Sequence, residues 1–325
     1  MAFYHRLIPL VTLLVSGAVC AGWTHQARDI MGTRVSLEIW HPQPLVSDQC
    51  SKQIFEEFER LDRLLSVYLP DSEVSEVNRN AAKLPVAISH ELVTILRRAK
   101  DFSELSRGAF DITYASIGYR YNYRDGIRPR AEDIIKDLPH IDFRKVQLVD
   151  NTVRFSEPGV RIDLGGIAKG YAVDRAIAIA RECNISNGII TAGGDSRILG
   201  DKGGRPWVIG IQHPRDSRKI ALKVPLEDAA ISTSGDYERF FVSNGERIHH
   251  IIDPKTGKSA NRSWSASVIG PDAMTTDALS TTLFVMGPET GMALIDSLPE
   301  VDAIIIDNQG KVHYSAGLME PDSSQ

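Results

Sequence analysis

Polar and apolar residues alternate along Arg34-Val35-Ser36-Leu37-Glu38-Ile39, the period of a strand with one buried face, which puts Met31-Gly32-Thr33 at its start. From Ser51 to Leu65 the period changes. Ile54, Phe58, Leu61 and Leu65 recur at steps of four, three and four, one face of an amphipathic helix that Leu69-Pro70-Asp71 brings to a stop. A second helix is predicted from an N-cap at Ser89 through Leu92, Leu96, Ala99 and Leu105, ending at Gly108. Tyr119 to Asp133 shows neither period and is read as loop. Short strands are predicted at 147–149, 153–155 and 160–164, followed by a glycine-rich turn and a helix from Tyr171 to Glu182. Further strands follow at 188–192, 207–211, 247–253, 265–269 and 303–306. Between the last two lies a helix capped by Thr275 or Thr276 and running to Phe284. Strands and helices interleaved in this way predict an α/β or mixed α+β fold, one large domain with scope for two lobes.

Composition narrows the function classes. The 325 residues are 42% hydrophobic and 24% charged, enough for a substantial core and unlike a disordered chain. With 37 Lys and Arg against 42 Asp and Glu, and no run of like charge, a general nucleic-acid surface is disfavoured. The apolar run from Leu7 to Ala21 falls short of the roughly 20 residues of a spanning helix and follows His5 and Arg6. It reads as a signal peptide covering residues 1–21 and cleaved before Gly22, with the functional domain at 22–325 and an exported location on the periplasmic side of the cytoplasmic membrane. A lipid anchor at Cys20 is the alternative. Of the remaining cysteines, Cys50 and Cys183 have no zinc spacing, and a disulfide between them is allowed but not required.

Three segments carry candidate chemistry. Asp163-Leu164-Gly165-Gly166-Ile167-Ala168-Lys169-Gly170 runs into a helix start, where exposed amides suit anionic oxygens, yet it matches neither the P-loop nor GxGxxG. Gly193-Gly194-Asp195 is a similar turn. On the helix after Thr275, Asp277, Ser280 and Thr281 share a face and offer oxygen donors of the kind Mg²⁺ takes. The third is His249-His250-Ile251-Ile252-Asp253-Pro254, where a histidine at a strand rim could serve as a base. Alternation along that strand allows only one of the two histidines to face the site. Each segment taken alone also has an ordinary structural explanation.

Taken in order, MGT at Met31, SVYLPDSEVSEVN from Ser66, GAFDIT from Gly108, DLGGIAKGYAVD from Asp163, AGGD from Ala192, STSGDYERFF from Ser232, HIIDPKTG from His250 and TTDALSTTLFVMG from Thr275 resemble the ApbE family of Mg²⁺-dependent FAD:protein FMN transferases. The resemblance implies an ApbE-like fold and transfer of FMN from FAD to a Thr or Ser hydroxyl of an acceptor protein, with release of AMP. It implies FAD contacts at Met31, Tyr68, Ala109, Phe110, Asp111, Asp163, Lys169 and Ile252, the last through its backbone. It further implies Mg²⁺ ligands at the Gly166 carbonyl, Asp277 and Thr281, and a base at His250. Ser280 stands where some relatives carry a second Asp, and Lys169 where others carry an acidic residue. The acceptor implied is a flavin-carrying subunit of a membrane redox complex bearing an Asp-x-x-Thr/Ser-Gly motif. Splitting of FAD by water to FMN and AMP, or flavin binding without chemistry, are the competing readings.

Overall fold

The computed structural model describes residues 22–318, so the signal peptide expected over residues 1–21, with Cys20, lies outside the described residues. Its centre is an eight-stranded sheet whose strands neighbour one another in sequence order: β1 (Gly22–Ile30), β2 (Thr33–His41), β3 (Asn187–Ala192), β4 (Asp195–Leu199), β5 (Ala230–Gly235), β6 (Ser263–Gly270), β7 (Asp302–Asp307) and β8 (Val312–Tyr314). Every pairing is antiparallel. The mixed architecture is therefore α+β: helices enter as long insertions into a meander rather than as crossovers between parallel strands.

The β1–β2 turn places Met31 at φ 54° and Gly32 at φ 67°. β1 itself, GWTHQARDI, has no clean period and escaped the sequence pattern. It is an edge strand, for the most part exposed or half-buried, so little in its composition was constrained by packing.

Three long helices pack on the sheet: α1 (Pro44–Leu65), α4 (Ala168–Glu182) and α5 (Ala273–Met286), with α2 (Glu73–Asn80), α3 (His90–Leu105) and α6 (Pro288–Ile295) around them. α1 begins well before the predicted Ser51, with Pro44 in its first turn, where a missing N–H costs nothing. α3 starts as predicted, the Ser89 hydroxyl accepting from the Leu92 amide, and Gly108 follows its end at φ 79°. A single buried cluster runs from Val35 and Leu37 on the sheet through Phe55, Phe58 and Leu61 of α1 to Ala176 of α4, Leu283 of α5 and Ile305 of β7. One core thus joins the sheet to all three helices, making one large domain.

Four predicted segments are corrected. Residues 160–164 form no strand, because side chains from other elements take their backbone groups: Asn78 bonds both the amide and the carbonyl of Ile162, and the Arg161 amide donates to Ser116. The predicted strand over 247–253 breaks after His249, leaving a hairpin strand at Glu246–His249 and a separate short strand at Ile252–Asp253. The predicted loop Tyr119 to Asp133 ends early, since Ala131–Asp137 is helical. Finally, α5 is capped by Asp272, whose carboxylate accepts from the Thr275 amide, and by neither Thr275 nor Thr276.

α5 is buried on nearly every side although it carries Thr276, Asp277, Ser280 and Thr282. Hydroxyl pairs resolve the conflict. Ser232 meets Thr276 at 2.8 Å and Ser234 meets Ser280 at 2.9 Å, both from the face of β5 turned to the helix, while Thr233 meets Ser267 of β6 at 2.8 Å. The α4–α5 crossing is tighter still. A Cβ on Gly170 would lie 2.1 Å from the Ala273 carbonyl oxygen and 2.8 Å from Asp277 Cβ, so only glycine fits between the helices. Gly170→Ala should therefore cost about 3 kcal/mol or more, since the obstacle is backbone that cannot turn aside. Urea denaturation measures it, and a loss below about 1 kcal/mol would contradict this packing.

Candidate functional site

The glycine segment reaches the α4–α5 crossing from an irregular loop held by hydrogen bonds to other elements. The Asp163 amide donates to the Ile112 carbonyl, and the Asp163 carboxylate accepts from the Gly165 amide at 2.7 Å. Burial raises the Asp163 carboxyl above its ordinary range, against the pull of the Gly165 amide and the Tyr114 phenol. Gly166 follows, and a Cβ built there would meet Thr281 Oγ1 and Phe110 Cε2, each at 3.2 Å. Phe110, Gly166 and Thr281 thus converge.

One turn before Thr281, Asp277 accepts from the Gly170 amide at 3.0 Å and lies 3.5 Å from the Lys169 ammonium, which bonds Asp195 at 2.5 Å. Burial works against the Lys169 charge, but Asp195 and Asp277 outweigh it and hold the ammonium protonated. Asp277 is the strained member. Burial and the neighbouring Asp195 push its carboxyl well above the usual range, more than Lys169 and the Gly170 amide recover. Asp195, read from sequence only as part of a turn, is thereby a member of the cluster. The Ser280 hydroxyl is engaged elsewhere, donating to the Asp277 carbonyl and paired with Ser234.

The Asp277 carboxylate and the Thr281 hydroxyl, with the Gly166 backbone lying against Thr281, are oxygen donors of the kind a hard divalent cation takes, and the Lys169 ammonium beside Asp277 shows that the spot already favours positive charge. Among the described residues no three His, Cys, Asp or Glu side chains gather as a metal cage, so a cation here would need oxygens from a ligand as well.

His250 lies just outside the hairpin strand, its amide donating to the Arg239 carbonyl at 3.2 Å. Its Nδ1 is buried and has no hydrogen-bond partner. Burial, then the charge of Arg239, His249 and Lys169, depress the imidazole to about 3, so it is neutral at physiological pH. His249 is different in kind. Its ring nitrogens bond the Ala260 carbonyl at 2.7 Å and the Ile251 amide at 3.3 Å, and its ring packs edge-on against Phe284, which makes it structural. The two are separated by the end of the strand and by these bonds, not by strand alternation.

The remaining predicted residues divide. Tyr68, 82% exposed, stands within charge range of Asp163 and Arg239. Met31 belongs to the turn whose Gly32 carbonyl accepts from Arg239. Ile252 is buried two residues beyond His250. Ala109 lines an open cavity of about 500 Å³ with Asp253, Lys255 and Arg262. The Asp111 carboxylate accepts from the amide and hydroxyl of Thr113 and from the Phe143 amide, and its carbonyl accepts from the Tyr114 amide, so the residue braces the local turn. Tyr114, Tyr123 and Arg239 were missed in the sequence. Tyr123 stacks on Tyr121, with ring centroids 5.7 Å apart, in the loop that shows no period. The only signal for Arg239 was its place within STSGDYERFF.

Because Asp277 is protonated more readily in the fold than in the open chain, its protonated form favours folding. That contribution is lost as pH rises through the raised value. Asp277→Asn should therefore stabilise the metal-free protein by on the order of 1 kcal/mol at pH 8, with the gain shrinking toward pH 5. Urea titrations at the two pH values check this, and a destabilised variant at pH 8 would refute it.

Residues 31–305 match the ApbE family. A Treponema pallidum FAD:protein FMN transferase is 31% identical, the alignment covering 98% of this chain and 95% of the relative. One from Vibrio cholerae is 32% identical over 97% of this chain and 98% of its own length. Among solved structures, the ApbE protein of Thermotoga maritima superposes with a TM-score of 0.84 at 35% identity, covering 91% of this chain and 98% of that one.

Proposed function

The chain belongs to the ApbE family, and from that premise we propose that it is an FAD:protein FMN transferase, moving FMN from FAD to a Thr or Ser hydroxyl of an acceptor protein and releasing AMP. The observation that supports the reading is that the charge of Lys169, which lies beside Asp277, reaches the buried imidazole of His250, whose Nδ1 has no partner, while Gly166 lies against Thr281 one turn from Asp277.

In the proposed step the acceptor oxygen bonds to the FMN phosphorus while the bond from that phosphorus to the AMP oxygen breaks, and AMP leaves with the electron pair. His250 Nδ1 takes the hydroxyl proton, its neutral state leaving the lone pair free, and later yields the proton to solvent. Binding of anionic phosphates beside the ring offsets the cations that depress it, so the base strengthens when substrate is present. Lys169, held by Asp195, supplies a fixed positive charge to the phosphate oxygens. Mg²⁺ held by Gly166, Asp277 and Thr281 would supply charge neutralisation at the pyrophosphate. Tyr68 and the Met31 turn border the place of the flavin nucleotide. We place the enzyme outside the cytoplasm, with an acceptor subunit of a membrane redox complex as partner.

Incubating an acceptor protein with FAD and Mg²⁺, followed by mass spectrometry, tests the reading. The acceptor should gain one FMN group with one AMP released. AMP without acceptor modification would indicate hydrolysis, and neither product would leave a flavin-binding protein. His250→Ala should lower transfer by ~10² to 10⁴-fold with FAD affinity little changed. Since the free imidazole titrates near 3, the kcat/KM profile should show no His250 limb between pH 6 and 8. His249→Ala should instead lower the denaturation midpoint. A fully active His250→Ala enzyme would reject the base assignment.

A further inference from the structure

Arg239 is held at both ends. Its carbonyl accepts the His250 amide at 3.2 Å, and its guanidinium Nη2 donates to the Gly32 carbonyl at 3.1 Å, across 207 residues of sequence. The side chain, although exposed, thereby ties the loop that carries His250 to the left-handed Met31-Gly32 turn. A guanidinium offers five N–H donors in a planar fork, and the Gly32 carbonyl occupies one nitrogen.

Among the basic residues near the candidate site its charge differs from that of its neighbours. Lys169 is bonded to Asp195 and Asp277, Arg215 is paired with Asp236, and Arg197 with Asp174. Among the described residues, no Asp or Glu oxygen lies within ion-pair distance of Arg239. Its field nonetheless falls on His250, Asp163 and Tyr68 together. A bare cation next to a general base is chemically counterproductive, because it repels the proton that the base must accept. The arrangement becomes productive when an anion sits between the two.

We infer that Arg239 is the phosphate-binding arginine of this site, its fork taking oxygens of the FMN phosphate on which His250 acts. This rests on the transferase reading and deepens it. Lys169 and Arg239 then approach the pyrophosphate from different elements, α4 and the loop after β5. The reacting phosphoryl group is gripped at the moment its charge is redistributed, the role for which a bidentate donor suits better than an ammonium.

Calorimetric binding of FAD, FMN and riboflavin to the full chain in Mg²⁺ tests the inference, with wild type, Arg239→Gln and Arg239→Lys. Arg239→Gln should weaken FAD by about 10- to 100-fold, the range of a lost charge-assisted pair, weaken FMN similarly, and change riboflavin by less than about twofold. Arg239→Lys should recover part of the loss, and the salt dependence of FAD binding should flatten in the Gln variant. Unchanged FAD affinity and salt dependence in Arg239→Gln would overturn the inference. An equal loss for riboflavin would also do so, since the side chain would then act only by bracing the Met31-Gly32 turn. If Arg239→Gln fails to fold, the Lys variant decides through the same comparison of FAD with riboflavin. Absence of both FAD binding and transfer in the wild type would instead defeat the transferase reading itself.

Discussion

The contact of α4 with α5 at Gly170 is the constraint on which the rest of the site depends. With no side chain between them, the helices approach closely enough for Asp277 to accept the Gly170 amide. Asp174, one turn further along α4, accepts the amides of Ala273 and Met274 at the start of α5 and pairs with Arg197 of β4. These contacts join a helix N-terminus, a helix start and a strand into one rigid corner. Gly166 lies against Thr281 as a consequence of that corner. Ser234 of β5 bonds both Ser280, at 2.9 Å, and Thr281, at 3.2 Å, and this fixes the rotation of α5 with Asp277 against Gly170 and Thr281 against Gly166.

Electrostatics in this corner is deliberately unbalanced. Two buried carboxylates share one ammonium, and burial, with the neighbouring Asp195, raises the Asp277 carboxyl. On the other side of the site, cations press upon a buried imidazole and depress it. In the proposed reaction each half would be relieved by the opposite charge on an incoming group, a cation at Asp277 and phosphates at His250. Sites that bind charge by preorganisation carry such stored cost, because their dipoles and charges are already placed before the ligand arrives.

Periodicity revealed the elements that have one buried face. β2, α1 and α3 were legible because water lies on one side of them and core on the other. α5 was found but wrongly capped, since a helix buried all round has no face to mark its beginning. The segment 160–164 was apolar enough for a strand, yet its partners are the side chains of Asn78 and Ser116, which no local pattern announces. For the site, chemistry confined to one motif was readable: Asp277 with Thr281, and His250 beside Ile251. What emerged only in three dimensions was pairing across motifs, such as Asp195 with Lys169, or Arg239 with Gly32.

The donor set has a consequence for selectivity. One carboxylate, one carbonyl and one hydroxyl make a poor cage for a divalent ion, which keeps several of its own waters unless further oxygens replace them. In the proposed reaction the pyrophosphate provides those oxygens, so metal and dinucleotide strengthen each other's binding and neither is held firmly alone. A flavin without phosphates gains nothing from the corner at Gly170, from Lys169, or from Arg239. Discrimination between FAD and riboflavin therefore does not require a close fit around the isoalloxazine ring, and an 82% exposed Tyr68 at the flavin side is compatible with a specific enzyme. In the proposed reaction an open flavin side would also leave room for the acceptor segment, whose hydroxyl would have to reach a phosphorus beside the buried His250.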